Sequence, residues 1–106
     1  MQEAIHFEKN GTALTARLCC ELDHHRAKGL REEVDHRLFL DKPSVLILDF
    51  SAVPFMDSSG VAFILGRAKT ARALGTVVRL VGLSPELSRL TGLWGADVYR
   101  NLTIQK

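Results

Sequence analysis

The segment Phe55-Met56-Asp57-Ser58-Ser59-Gly60 holds the side chains of this sequence best placed to do chemistry. Two hydroxyls follow a carboxylate and precede a glycine, at the junction between an apolar run and a helix-like one. The first turn of a helix presents unpaired N–H groups, so Ser58 or Ser59 is a candidate N-cap there. A serine at such a junction is also where a phosphate would have consequences, because it adds about −1.5 to −2 charge and three acceptor oxygens. Helix N–H groups would accommodate that anion, while Asp57 and Asp23 would repel it. A charge change at an exposed junction alters binding without unfolding the chain.

Catalysis finds less support in the residues. Ser58 as a nucleophile needs a base and an oxyanion site, yet no G-x-S-x-G elbow is present and nothing local assigns His6, His24, His25 or His36 as the base. His24, His25 and His36 make a weak metal set, since adjacent histidines rarely face one ion and no acidic or thiol group completes four ligands. Gly60 and Gly66 do not form a phosphate loop, because no G-x-x-x-x-G-K-[ST] occurs. Cys19 and Cys20 are adjacent and would alternate in a strand, so a bond between them would be strained; reduced, core-type residues are expected. No cofactor and no metal are expected.

The elements that must position the serines follow from patterning. Asn10-Gly11 predicts a two-residue hairpin turn, pairing Lys9 with Thr12, Phe7 with Leu14 and Ile5 with Ala16. His6, Glu8, Thr15 and Arg17 then share the opposite face. A helix is expected over about 25–39, with Asp23 as N-cap and Ala27, Leu30, Val34 and Leu38 as its inward stripe. The run 45–48 reads as a central strand covered on both faces.

A second helix is expected over about 58–74, with Val61, Ile64, Leu65, Ala68 and Ala71 inward and Gly75 at C′. Arg67, Lys69 and Arg72 make one basic helix face, read as solvated surface with contact to an acidic partner as the alternative. Strand 76–81 follows, then a short helix begun by Ser84-Pro85-Glu86, carrying Leu87, Leu90 and Trp94 and stopped at Gly92 or Gly95. A last strand is expected over 98–102. Strands alternating with helices imply parallel pairing. The fold class is α/β, one domain over 1–106, with a mixed sheet of four to five strands and packed helices. Phe7, Leu14, Leu18, Leu30, Val34, Ile47, Leu48, Ile64, Leu65, Leu80 and Leu90 are expected to share one core.

Bulk properties agree with a single ordinary globular domain. The 106 residues are 46% hydrophobic and 25% charged, enough for one core without disulfides or metals. Net charge is +2, from 14 Lys plus Arg against 12 Asp plus Glu, too balanced for an electrostatic nucleic-acid binder. No apolar run approaches the ~20 residues that cross a bilayer, and no leader is read. The expected partners therefore include no nucleic acid and no membrane, and the expected location is the cytoplasm.

The runs "GTALTARLCCELDHH", "VLILDFSAVPFMDSSGVAFILGRAK" and "VRLVGLSPELSRLTGLWG" resemble the STAS domain family, and within it the anti-sigma factor antagonists of sporulation. The resemblance covers about residues 5–100; "ELDHH" with "FMDSSG" and "ILGR" is its specific part. It implies a STAS-like fold and a partner-switching role in transcription regulation. The unmodified protein binds an anti-sigma factor with serine-kinase activity and so releases the sigma factor. Phosphorylation of the serine matching Ser58 abolishes binding, and a serine phosphatase reverses the mark. The resemblance places Asp23, Asp57, Ser58, Ser59 and Gly60 at the partner-binding surface, with Ser59 as the cap. The family often has glycine where this chain has Cys20, so a side chain there bears on the loop carrying Asp23. A nucleotide- or small-ligand-sensing STAS domain is the alternative reading.

Overall fold

A computed structural model describes residues 4–93 and 100–105. The chain opens with β1 (Ile5–Asn10) and β2 (Ala13–Leu18), which pair antiparallel. Helix α1 (His24–Asp41), strand β3 (Val45–Asp49), helix α2 (Ser58–Ala73) and strand β4 (Val77–Val81) follow. Helix α3 (Pro85–Leu93) and strand β5 (Leu102–Ile104) complete the order. The sheet has five strands in the order β1-β2-β3-β4-β5, parallel from β2 onward. A mixed α/β domain is what the alternation of strand and helix patterns implied.

The hairpin register differs from the expected one by two residues. Asn10 pairs with Ala13, Phe7 with Ala16 and Ile5 with Leu18, so Gly11 and Thr12 form the turn. Gly11 takes φ +63°, while neither Asn10 nor Thr12 has positive φ. That fits a turn with positive φ at its first central position only, where glycine is favoured. A slip of two residues leaves every side chain on its original face, which is why the alternation could not exclude it.

Each parallel crossover moves one strand further in the same direction. With right-handed crossovers, all three helices then lie on one face of the sheet. Burial follows that geometry: Leu14 and Ala16, Leu46 and Leu48, and Val78 and Leu80 are fully buried. Their alternates are half-buried in β3 and exposed at Val77 and Arg79. The expectation that β3 is covered on both faces is therefore corrected. Ile47 points to the other face and lies outside the core that Leu46 and Leu48 enter. Phe7, Leu65 and Leu90 pack on that core only partly buried.

Helix α1 turns Leu30, Val34 and Leu38 inward at four-residue steps, with Ala27 half-buried. It runs on to Asp41 and ends where Lys42 adopts φ 44° and donates its N–H to the Leu38 carbonyl. Ser84 Oγ accepts from Leu87 N at 3.2 Å and caps α3 as expected. Gly92 lies within α3 and does not stop it; Trp94, Gly95 and Val98 fall outside the described residues. The last strand begins at Leu102, where 98–102 was expected. Among the described residues, no helix is long and apolar enough to cross a membrane.

Candidate functional site

Two connections leave the carboxyl ends of neighbouring strands, one from β2 into α1 and one from β3 into α2. They are joined by an isolated parallel bridge between Leu22 and Met56. Leu22 N donates to the Phe55 carbonyl at 2.9 Å, and Asp57 N approaches the Leu22 carbonyl at 3.5 Å. Both bridge side chains are buried. The next residue on each chain is an aspartate at a helix N-cap, so the bridge sets two helix N-termini side by side. Ligands of open α/β sheets collect at such carboxyl ends.

Asp23 Oδ1 accepts from Arg26 N at 3.0 Å, as an N-cap carboxylate should. The second cap differs from expectation. Asp57, extended at φ −105° and ψ −165°, accepts from Ser59 N at 2.8 Å through Oδ1. Neither Ser58 nor Ser59 caps α2. The reason is local: Asp57 is the last residue with extended backbone, and both serines are already helical. Each cap carboxylate also offsets the partial positive charge of its helix N-terminus.

Ser58 is the first helical residue and is exposed, and its hydroxyl has no hydrogen-bond partner among the described residues. It is therefore open to solvent, one residue beyond a carboxylate. Ser59 is half-buried and faces the seam between α1 and α2. Gly60 is buried. A Cβ there would fall on Met56 Cγ and lie 2.6 Å from Met56 Sδ and 3.2 Å from the Leu22 carbonyl. Glycine thus lets the first turn of α2 sit directly on the bridge. Phe55, which precedes the bridge residue Met56, is 51% exposed.

Arg67, expected on a solvated basic face, is instead buried by the structure. It is 4% exposed, with Nε 2.8 Å from Asp35 Oδ1 on α1 and its guanidinium 5.5 Å from the Phe63 ring centroid. The pair is close but not aligned as a hydrogen bond. Burial is the largest influence on both partners, lowering the Arg67 pKa and raising that of Asp35 against their mutual attraction. Lys69 and Arg72 remain exposed. Sequence periodicity missed Arg67 and Phe63 because their burial depends on α1 packing alongside α2.

Cys19 and Cys20 are both half-buried free thiols. Cys20 packs against the core, and burial raises its pKa while nearby Arg26 lowers it. Its side chain is accommodated without breaking the Leu22–Phe55 hydrogen bond. Among the described residues, no three His, Cys, Asp or Glu side chains gather as a metal site would require.

The family model of the STAS domain matches residues 4–102. The chain belongs to the STAS domain family. This STAS domain is 32% identical over 95 residues to the anti-sigma F factor antagonist of Paenibacillus polymyxa, covering 90% of this chain and 81% of that relative. It is also similar to the anti-sigma factor antagonist SpoIIAA solved in its unphosphorylated form, with 27% identity and a TM-score of 0.74 over 97% of this chain and 88% of that one. The Bacillus SpoIIAA in its phosphorylated form matches with 27% identity and a TM-score of 0.72, over 97% of this chain and 92% of that one.

Proposed function

We propose that this STAS domain is an anti-sigma factor antagonist switched by phosphorylation of Ser58. Unmodified, it binds an anti-sigma factor with serine-kinase activity and so frees the sigma factor; a serine phosphatase restores it after phosphorylation. It acts by binding and is not itself a catalyst. The observation that carries the reading is the free, exposed Ser58 hydroxyl at the first turn of α2, beside two aspartate caps held together by the Leu22–Met56 bridge. The resemblance to a protein solved with and without phosphate supports it.

The partner surface consists of Asp23, Asp57, Ser58 and Ser59, with Gly60 beneath them seating the helix turn. A hydroxyl at Ser58 can enter a packed interface. A phosphate there adds about −1.5 to −2 charge beside Asp57, and a poorly paired charge buried in an interface costs several kcal/mol.

The test is phosphorylation by the cognate anti-sigma kinase, with the site mapped by mass spectrometry and binding followed by calorimetry. A single phosphate on Ser58, absent from Ser58→Ala protein that still binds, is the expected result. Phosphate on Ser59, or no binding by the unmodified chain, would overturn the proposal.

A further inference from the structure

The seam between α1 and α2 opens into a groove of about 350 Å³ that starts at Ser59 and runs down the helix pair. Its floor is apolar and low, built from Ala27, Ala62 and Phe63. Its α1 wall is formed by His24, Lys28 and Arg31, which follow one another at three- and four-residue steps and so share one helix face. All three are exposed, and none is in an ion pair among the described residues.

The acids of the neighbourhood are differently placed. Asp23 and Asp57 cap the two helices at the Ser59 end of the groove, one oxygen of each carboxylate accepting a backbone N–H. Asp35 faces Arg67 beneath the seam. Arg31 lies near enough to Asp35 to lower its pKa, while Lys28 is in no ion pair among the described residues. The groove thus presents positive charge that the domain satisfies only in part, over an apolar floor whose two alanines let another backbone approach closely. Its mouth is continuous with the Ser58–Ser59 turn.

Building on the antagonist reading, we infer that this groove receives an acidic segment of the anti-sigma factor. Aspartate or glutamate side chains on that segment meet Lys28 and Arg31, while its backbone and small side chains cover Ala27, Ala62 and Phe63. The charge pattern also fixes direction, with acidic caps at the Ser58 end and cations further along. A partner segment seated in reverse would set its acids against Asp23 and Asp57. Complementary charge of this kind governs partner choice and association rate.

The experiment uses the full chain and the purified anti-sigma serine kinase of the same bacterium, titrated calorimetrically at low and at physiological salt. The double variant Lys28→Glu, Arg31→Glu should bind at least about tenfold more weakly than the parent, because reversal sets like charges against the partner. The parent's affinity should fall as salt rises, and the variant's should not. Lys28→Gln, which removes charge without reversing it, gives the same direction of change should the double variant not fold. Binding within twofold of the parent at both salts would overturn the groove assignment. Where Ser58→Asp loses binding and the groove variants keep it, only the groove assignment falls. Where the unmodified parent does not bind the kinase, the antagonist reading falls and takes this inference with it.

Discussion

At the scale of single residues, the segment Asp57-Ser58-Ser59 divides its work more sharply than its sequence suggested. Three adjacent side chains, Asp57, Ser58 and Ser59, could each accept from a helix N–H, and the residue types alone leave the assignment open. The backbone decides it: Asp57 holds the extended conformation of an N-cap, and its Oδ1 lies 2.8 Å from Ser59 N. Asp57→Ala should therefore lower stability by about 0.5–2 kcal/mol, while Asp57→Asn keeps the acceptor and should stay near the parent. Ser59→Ala should change stability by no more than about 0.5 kcal/mol, as for a side chain outside any cap. Urea midpoints of the three variants check this. A larger loss for Ser59→Ala than for Asp57→Ala would return the cap to the serine. Freed from capping, Ser58 offers a hydroxyl whose modification does not first break a structural hydrogen bond.

At the scale of elements, two helix caps set by local chemistry were legible, while features that depend on distant neighbours were not. Asp23 and Ser84 act within one helical turn, so their residue types reveal them. The inward stripe Leu30, Val34 and Leu38 repeats at helical spacing and reads directly. Arg67 does not, since a guanidinium on a helix reads as surface until Asp35 and Phe63 are placed around it. The apolar run of β3 likewise cannot say on which side the helices lie. That one-sidedness makes adjacent residues unequal. Leu46→Ala should cost about 2–5 kcal/mol through lost contact and a residual cavity, whereas half-exposed Ile47→Ala should cost under roughly 1.5 kcal/mol. Equal denaturation midpoints for the two would contradict the single-faced core. Arg67 yields a second contrast, because burial outweighs attraction on both members of its pair. Arg67→Met would leave the part-buried Asp35 carboxylate without its partner and should cost on the order of 1–3 kcal/mol, whereas Arg67→Met combined with Asp35→Leu should stay near the parent. Arg67→Glu would set a buried carboxylate against Asp35 and should cost on the order of several kcal/mol. A solvated Arg67 would show neither difference in thermal melts.

At the scale of the whole molecule, the core and the proposed switch are separated. The buried residues lie between the sheet and its one layer of helices, while Ser58 stands on the surface at the carboxyl edge of the parallel strands. Phosphorylation should therefore act on association and leave the fold in place. A phosphate on Ser58 meets the positive end of α2, which favours an anion by about 0.3–1 kcal/mol, and the Asp57 carboxylate, which opposes it. The two effects offset one another, so the melting midpoint should move by less than about 4–8 °C, the shift that ~1 kcal/mol produces in a domain of this size. Association is different, because the same phosphate must be desolvated against a partner shaped for a hydroxyl. A cost of ~3 kcal/mol weakens binding more than a hundredfold. Phospho-Ser58 protein should thus keep its native circular-dichroism spectrum and the slow amide exchange of β2, β3 and β4, yet fail to bind the anti-sigma kinase at concentrations where the unmodified chain saturates. Ser58→Asp should follow it in direction but lose less affinity, since one carboxylate carries less charge and fewer acceptors. Loss of exchange protection in the sheet on phosphorylation would mean that the switch works by unfolding. Undiminished binding with the sheet intact would remove Ser58 from the mechanism altogether.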